Sequence, residues 1–410
     1  MTDPVHAPRP APLFRGRLDS VLGWLHWQRK RFPQRLISLG VPPALFGWRP
    51  IPHISPQTHV AEFGQAGDFE ILEPEETRAN FLPANIEDCA ALNPDAGWWG
   101  YSMRDVPTRR SAAIALATLS NVRVLSFLDG PKRNFTPAIL DARNRAVEFP
   151  QVRFRPGHAE LMRRSVPRMQ VSDAVWFLER VYDNHSHWLT AHLPKLLLLK
   201  KLGLLDRTIM PAQRSAAMDA SLAMIGIDPT KMLQYETGTV LEVDRLTVPV
   251  TDRFDPRLLR PVREACARHD PDGPSARVFI SRARARGRKL LNEDALWPRL
   301  EALGFQRVFM EDLDFPEQVR LMQQTSIIVA PHGAGLTNMM FCPEGADIVE
   351  LADPDYPNPN FYALAAAMGH RYWLIDAQAT GRGHALEKDL TVDPDSVIGV
   401  LDRVLAAQVS

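Results

Sequence analysis

The chain has 410 residues, 48 Lys plus Arg against 48 Asp plus Glu, and 45% hydrophobic residues. That length holds two or three domains with a sizeable core, and the balanced charge makes no global field to draw in nucleic acid. Cys89, Cys266 and Cys342 lie far apart without paired spacing, which excludes a disulfide framework or zinc motif and suits a reducing, cytoplasmic compartment.

Residues 1–60 form a Pro-rich arm with no signal-peptide pattern, and no apolar run in the chain reaches membrane-span length. The arm carries a helical stripe, Leu18, Val21, Leu22 and Leu25, flanked by Trp24, Trp27, Arg29, Lys30 and Arg31. Such a basic helix usually docks on its own protein; the alternative is a peripheral contact with the inner face of the cytoplasmic membrane. Residues 61–255 read as an amino-side domain, irregular and β-rich to about 155, with a strand at 122–128. Gly97-Trp98-Trp99-Gly100-Tyr101 is aromatic enough to stack on a sugar, although packing into a core hairpin is the commoner use. The later part of that domain alternates: strands at 174–178 and 207–210, helices at 187–199 and 213–225, then a short segment at 240–250 leading through Pro256 into the last region. Residues 256–410 alternate strictly. Strands at 277–281, 306–310, 326–330, 347–351 and 372–375 are separated by helices at 293–303, 315–324, 336–341 and 360–368, with a last helix at 394–407. This order predicts a parallel, doubly wound sheet whose strands all end on one edge, where ligands of such sheets bind.

The strongest signal lies at that edge. Ile327-Ile328-Val329-Ala330-Pro331 runs into His332-Gly333-Ala334-Gly335-Leu336-Thr337-Asn338, a strand leading through a glycine turn to a short helix. Unpaired N–H groups at the helix start favour an anion, and glycines let a diphosphate approach the backbone. The run falls one glycine short of the dinucleotide fingerprint, and no Gly-x-Ser-x-Gly elbow accompanies it, so dehydrogenase and hydrolase readings are weak. Arg282-Ala283-Arg284-Ala285-Arg286-Gly287-Arg288-Lys289 follows another strand at the same edge and can supply one or two phosphate-binding arginines. Asn292 suits an N-cap, and Glu293 beside it suits a ribose hydroxyl or a purely structural place. His185, His187 and His192 precede or open the leucine-rich helix; their spacing does not make a metal site, and a histidine there is either a base or a cap. Asp312-Leu313-Asp314 and Asp353-Pro354-Asp355 are too short a pattern to read as metal ligands.

Taken together, these residues resemble glycosyltransferase family 61, a group that includes bacterial capsular-polysaccharide-type enzymes. The matching pieces are Asn184-x-x-His187-Trp188-Leu189 with Leu193-Pro194-Lys195-Leu196, Ile280-Ser281-Arg282 with Asn292-Glu293, Gly304-Phe305, Phe315-x-Glu317-Gln318, the run His332 to Asn338, and Val349-Glu350-Leu351. The resemblance implies a GT-B architecture, two Rossmann-like domains facing across a cleft: residues 61–255 on the acceptor side and 256–410 on the donor side. It implies inverting transfer from a nucleotide-diphosphate sugar to a glycan or saccharide acceptor, with no cofactor and no metal. Arg282, His332, Gly333, Ala334, Gly335 and Leu336 would hold the donor diphosphate, and Glu293, Glu350 and Asn338 the nucleoside or sugar. The family's usual carboxylate after the motif histidine is Ala191 here, so the expected base is His187, with Asp183 or His192 as substitutes. That gap keeps open a non-catalytic nucleotide-sugar-binding or scaffold protein.

Overall fold

The computed structural model describes residues 51–97, 99–130, 132–162, 165–267, 275–382 and 385–409. The amphipathic helix expected near residues 18–31 and the side chain of Trp98 lie outside them.

The amino half is built on strands β1 (His53–Ile54), β2 (Phe69–Glu73), β3 (Ile114–Asp129), β4 (Asn134–Leu140), β5 (Ala146–Val147) and β6 (Arg168–Val175), then β7 (Ile209–Pro211), β8 (Leu233–Tyr235) and β9 (Val240–Val250). The main sheet runs β1-β5-β4-β3-β9-β6, with β2 added to β3. Its β2, β3, β4 and β9 pairings are antiparallel, but β9 and β6 are parallel. A parallel bridge from Val175 to Thr208 extends that parallel portion towards the β7–β8 pair, itself parallel. Helices α1 (Leu193–Lys201) and α2 (Ala216–Met224) make the crossovers. Parallel, helix-connected pairing in this half is thus confined to about residues 168–250; the rest is antiparallel except for the short parallel β1–β5 pair. The physical reason is connection length. β3 and β4 are joined by a tight turn, which permits only antiparallel pairing, whereas β6 and β7 are separated by a helix.

The carboxyl half matches its expected alternation closely. After α3 (Pro256–Cys266) come β10 (Ala276–Ile280), α4 (Glu293–Ala302), β11 (Phe305–Val308), α5 (Phe315–Gln323), β12 (Thr325–Pro331), β13 (Asp347–Ala352), α6 (Asn360–Met368), β14 (Arg371–Asp376) and α7 (Pro394–Val409). The sheet order is β11-β10-β12-β13-β14, with every pair parallel. Both faces are buried, which is why these strands are continuous β-branched runs. Ile328, Ala330 and Ile348 point into one apolar cluster, and Ile327, Val329 and Val349 into another, under α4 and α7. Each such isoleucine or valine contributes about 1.5–3 kcal/mol by leaving water.

The first of those clusters does not stop at the sheet. It continues through Val175, Leu189, Leu193 and Leu196 of the amino half, so the two halves share one core. Hydrogen bonds stitch the seam: Asn85 Nδ2 donates to the Leu374 carbonyl at 2.6 Å, and Tyr362 OH to the Phe81 carbonyl at 2.6 Å.

Candidate active site

β12 delivers the glycine turn to the sheet edge. The His332 amide still donates to the Leu351 carbonyl of β13 at 2.9 Å, so this residue is the last one held by the sheet. Gly333 then caps a 3-10 helix, Ala334–Phe341, in extended backbone. The Leu336 amide returns to the Gly333 carbonyl at 2.9 Å, whereas the amides of Gly333, Ala334 and Gly335 find no acceptor among the described residues. Free N–H groups at a strand's carboxyl end are what an anion requires. Leu336, expected to join them, has spent its amide and is fully buried in the core. Gly335 is small for a packing reason as well: a Cβ there would stand 3.1 Å from Ile280 Cγ2.

His332 is buried with Nδ1 facing the Glu350 carboxylate. That contact puts the proton on Nδ1 and leaves Nε2 to accept from Asn358 Nδ2 at 3.1 Å. The other Glu350 oxygen accepts the Tyr372 hydroxyl at 2.6 Å. Glu350 was expected at the nucleoside or sugar. It is instead 1% exposed and engaged at both oxygens, as a buried carboxylate must be, with one oxygen against the His332 ring. Asn338 is corrected in the same way. Its Oδ1 accepts from His185 Nε2 at 3.0 Å and its Nδ2 donates to Gln318 Oε1 at 3.2 Å, which pins the amino half to the carboxyl half. Glu293, buried at the start of α4, accepts the Ser281 hydroxyl at 2.8 and 2.9 Å and so secures the end of β10. Asn292 holds the N-cap position without a cap bond; its side chain pairs with the Val392 backbone.

The basic loop resolves into distinct jobs. Arg284 pairs with Asp312 and lies 4.0 Å over the Phe309 ring, and Arg286 is exposed. Arg282 turns inward: its Nη2 donates to the Gly287 carbonyl at 2.9 Å, and its guanidinium lies against Gly333, where a Cβ would come within 2.1 Å of Nη1. Arg288, at a left-handed φ of 59°, joins it, with an Nε that is buried and unpartnered. Neither arginine has a carboxylate partner among the described residues. Burial pushes the Arg282 guanidinium down to about 10, and the like charge of Arg288 adds to that. Arg288 was not singled out from sequence; only its backbone conformation and inward course separate it from its neighbours in a loop of identical residues.

The histidine segment is shaped by an unforeseen π turn. Asn184 caps it through the amides of Ser186 and His187, and residues Trp188–His192 then open to π geometry before α1. In an α-helix, residues five apart diverge; here His192 Nδ1 donates to the His187 carbonyl at 3.0 Å. His192 Nε2 accepts the Glu179 amide at 3.0 Å, so both ring nitrogens are used and the residue is wholly buried. Burial lowers it to about 4, and it is a structural histidine, not a substitute base. Asp183 is exposed. His187 keeps a buried, unpartnered Nδ1. Burial, then the charge of Arg253, pushes it down to about 2, so the imidazole stays neutral.

The aromatic segment 97–101 is not a core hairpin. The Trp99 ring meets Tyr356 edge-on at 5.2 Å, and Tyr356 in turn lies 6.1 Å from the His332 ring. Tyr101 OH donates to Asn360 Oδ1 at 2.8 Å, with Arg109 4.2 Å over its ring. No sequence spacing connects residue 99 to residue 356. A separate cavity of about 1110 Å³, lined by Phe81, Arg257, Arg260 and Tyr362, contains neither His332 nor Arg282 and is not this site.

The family model described as Glycosyltransferase 61 matches residues 185–349, from the histidine segment through the glycine turn to β13. An EGF domain-specific O-linked N-acetylglucosamine transferase of Drosophila melanogaster is 37% identical over 107 residues, 25% of this chain and 20% of that protein. A beta-1,2-xylosyltransferase, XAX1, of Oryza sativa subsp. japonica is 31% identical over 160 residues, 37% of this chain and 28% of that protein. A protein O-linked-mannose beta-1,4-N-acetylglucosaminyltransferase 2 of Mus musculus is 40% identical over 84 residues, 20% of this chain and 14% of that protein. The chain thus spans 20% and 28% of the length of the first two. These relatives are eukaryotic rather than of the bacterial capsular type. Among solved structures, the iron-containing dodecameric glycosyltransferase TibC of enterotoxigenic E. coli aligns over 67% of this chain and 81% of its own at 12% identity; its TM-score of 0.26 carries no argument.

Proposed function

We infer that this chain, whose residues 185–349 belong to glycosyltransferase family 61, transfers a sugar from a nucleotide-diphosphate donor to a saccharide or glycan acceptor. The observation that carries the reading is the pair Arg282 and Arg288, without carboxylate partners among the described residues, beside the Gly333, Ala334 and Gly335 amides, which find no acceptor there either. Isolated inward cations are unfavourable in the empty protein and become favourable when an anion arrives. A departing nucleoside diphosphate gains charge as its bond to the sugar breaks, and fixed donors aimed there lower the barrier.

In this reading the donor lies on the edge of the β10–β14 sheet, with the acceptor on the side of the amino half, in the manner of a GT-B enzyme. The acceptor oxygen bonds to the anomeric carbon while the diphosphate oxygen leaves with the electron pair, inverting the centre. His187 takes the acceptor hydroxyl's proton, and the arginines and backbone amides supply the charge stabilisation without a resident metal. Polysaccharide assembly in a bacterial cytoplasm, with the amino-terminal arm as a peripheral membrane contact, is the setting that we propose.

Thermal unfolding with UDP, GDP, CDP, CMP and dTDP, each with EDTA, tests this. One nucleotide should stabilise the chain, by roughly 2.7 kcal/mol at about 100 times its Kd, and Arg282→Ala should abolish the effect. No shift with any nucleotide would remove the donor site. A second reading, binding without transfer, is favoured by Ala191 and by the depressed basicity of His187. Nucleotide-sugar binding with no turnover across a broad acceptor panel would select it.

A further inference from the structure

A second set of cations, without carboxylate partners among the described residues, lies on the amino half, and the charges of Arg253 and Arg180 both act on His187. Arg253 crosses the face of the histidine segment, its Nε donating to Thr190 Oγ1 at 2.8 Å and its Nη2 to Ser186 Oγ at 3.3 Å. Those are neutral partners. The carboxylates nearby are taken by other cations: Asp252 by Arg109 at 3.5 Å, Asp255 by Arg257 at 2.6 Å, and Glu179 by Lys195. Arg180 has no side-chain partner among the described residues, and its Nε is buried without one, as is His187 Nδ1. The backbone is strained immediately after both arginines. Val181 and Phe254, the residues that follow them, hold left-handed φ angles of 61° and 62°. For β-branched and bulky residues such angles cost on the order of 1–3 kcal/mol each, and they persist where the surrounding structure enforces them.

We propose that Arg180 and Arg253 form a second anion subsite, beside His187, which receives a carboxylate or phosphate carried by the acceptor. The proposal rests on the transferase reading above and names the acceptor's class: an acidic saccharide or a sugar phosphate. The two cation sets then divide the work, Arg282 and Arg288 for the donor diphosphate and Arg180 and Arg253 for the acceptor's charge. An acceptor anion in this place aligns its hydroxyl with His187 and offsets the cationic field on that imidazole.

The test uses the full chain saturated with the nucleoside diphosphate that stabilises it, titrated calorimetrically with methyl glucuronide, glucose 6-phosphate and neutral methyl glucoside. At least one acid should bind tenfold or more tightly than the glucoside, and the stronger acid distinguishes carboxylate from phosphate. Arg180→Gln, at a side chain with no partner among the described residues, should erase that preference while nucleotide affinity stays within twofold; Arg253→Gln should do the same if its melting is otherwise normal. Equal binding of all three probes, or of none, overturns the proposal. So does a tenfold loss of nucleotide affinity in Arg180→Gln, which would give these cations to the donor. If no nucleoside diphosphate binds the wild type, the transferase reading fails, and the same titrations on the nucleotide-free chain decide this subsite on its own.

Discussion

Gly333 shows how much of the site rests on one missing atom. A Cβ there would stand 2.1 Å from Arg282 Nη1, but the obstacle is the far end of a flexible side chain and the glycine's φ of 174° suits any residue. Gly333→Ala should therefore displace the guanidinium without straining the fold. Its melting is expected within about 0.5 kcal/mol of wild type, while nucleoside diphosphate affinity falls tenfold or more, about 1.4 kcal/mol. Unaltered affinity in a calorimetric titration would mean that Arg282 is not a ligand. Sequence placed Arg282 and Gly333 at the same edge because both follow parallel strands, yet their contact was not legible, since it depends on how the 282–288 loop folds over its own arginine.

Among the elements, β13 and β14 lie side by side in parallel register and present Glu350 and Tyr372 to each other behind His332. Tyr372→Phe removes one O–H and leaves a buried carboxylate oxygen without its donor, at an expected cost of about 1–3 kcal/mol. A urea-denaturation midpoint identical to wild type would show that Glu350 does not depend on this bond. The variant should also weaken nucleotide binding, because Glu350 sets the ring orientation of His332. The strands themselves were legible from their β-branched runs and the helices from their periodicity. The π turn at Trp188–His192 was not, because an extra residue in a helical turn leaves the apolar pattern of Leu189, Leu193 and Leu196 intact.

Across the whole molecule, buried histidines couple the fold to pH. His158 in the amino half, His192 beside the π turn and His370 ahead of β14 are each lowered by burial to about 4. Their folded values lie below the unfolded 6.5, so the unfolded chain binds more protons between those limits. Their contribution is complete above pH 6.5 and is lost progressively as pH falls towards about 4. At pH 5 each should have given up about 2 kcal/mol. Stability measured by urea unfolding at pH 7 and pH 5 should differ by several kcal/mol; equal values would show that these rings are not held neutral. Because the core is continuous between the halves, the loss should appear as one cooperative transition.

The sequence by itself determined the parallel sheet, its strand ends and the glycine turn, because hydrophobic period and turn chemistry are local properties that survive without neighbours. It also carried the family pattern, since the motifs lie in fixed order along the chain. Which charges lack a partner was decided only by tertiary structure. Asp252 could have neutralised Arg253 but faces Arg109; Glu350 stands at the ligand edge but faces His332; and Trp99 reaches Tyr356 across 257 residues of chain. Pairing of that kind depends on where distant segments meet, and local periodicity holds no record of it.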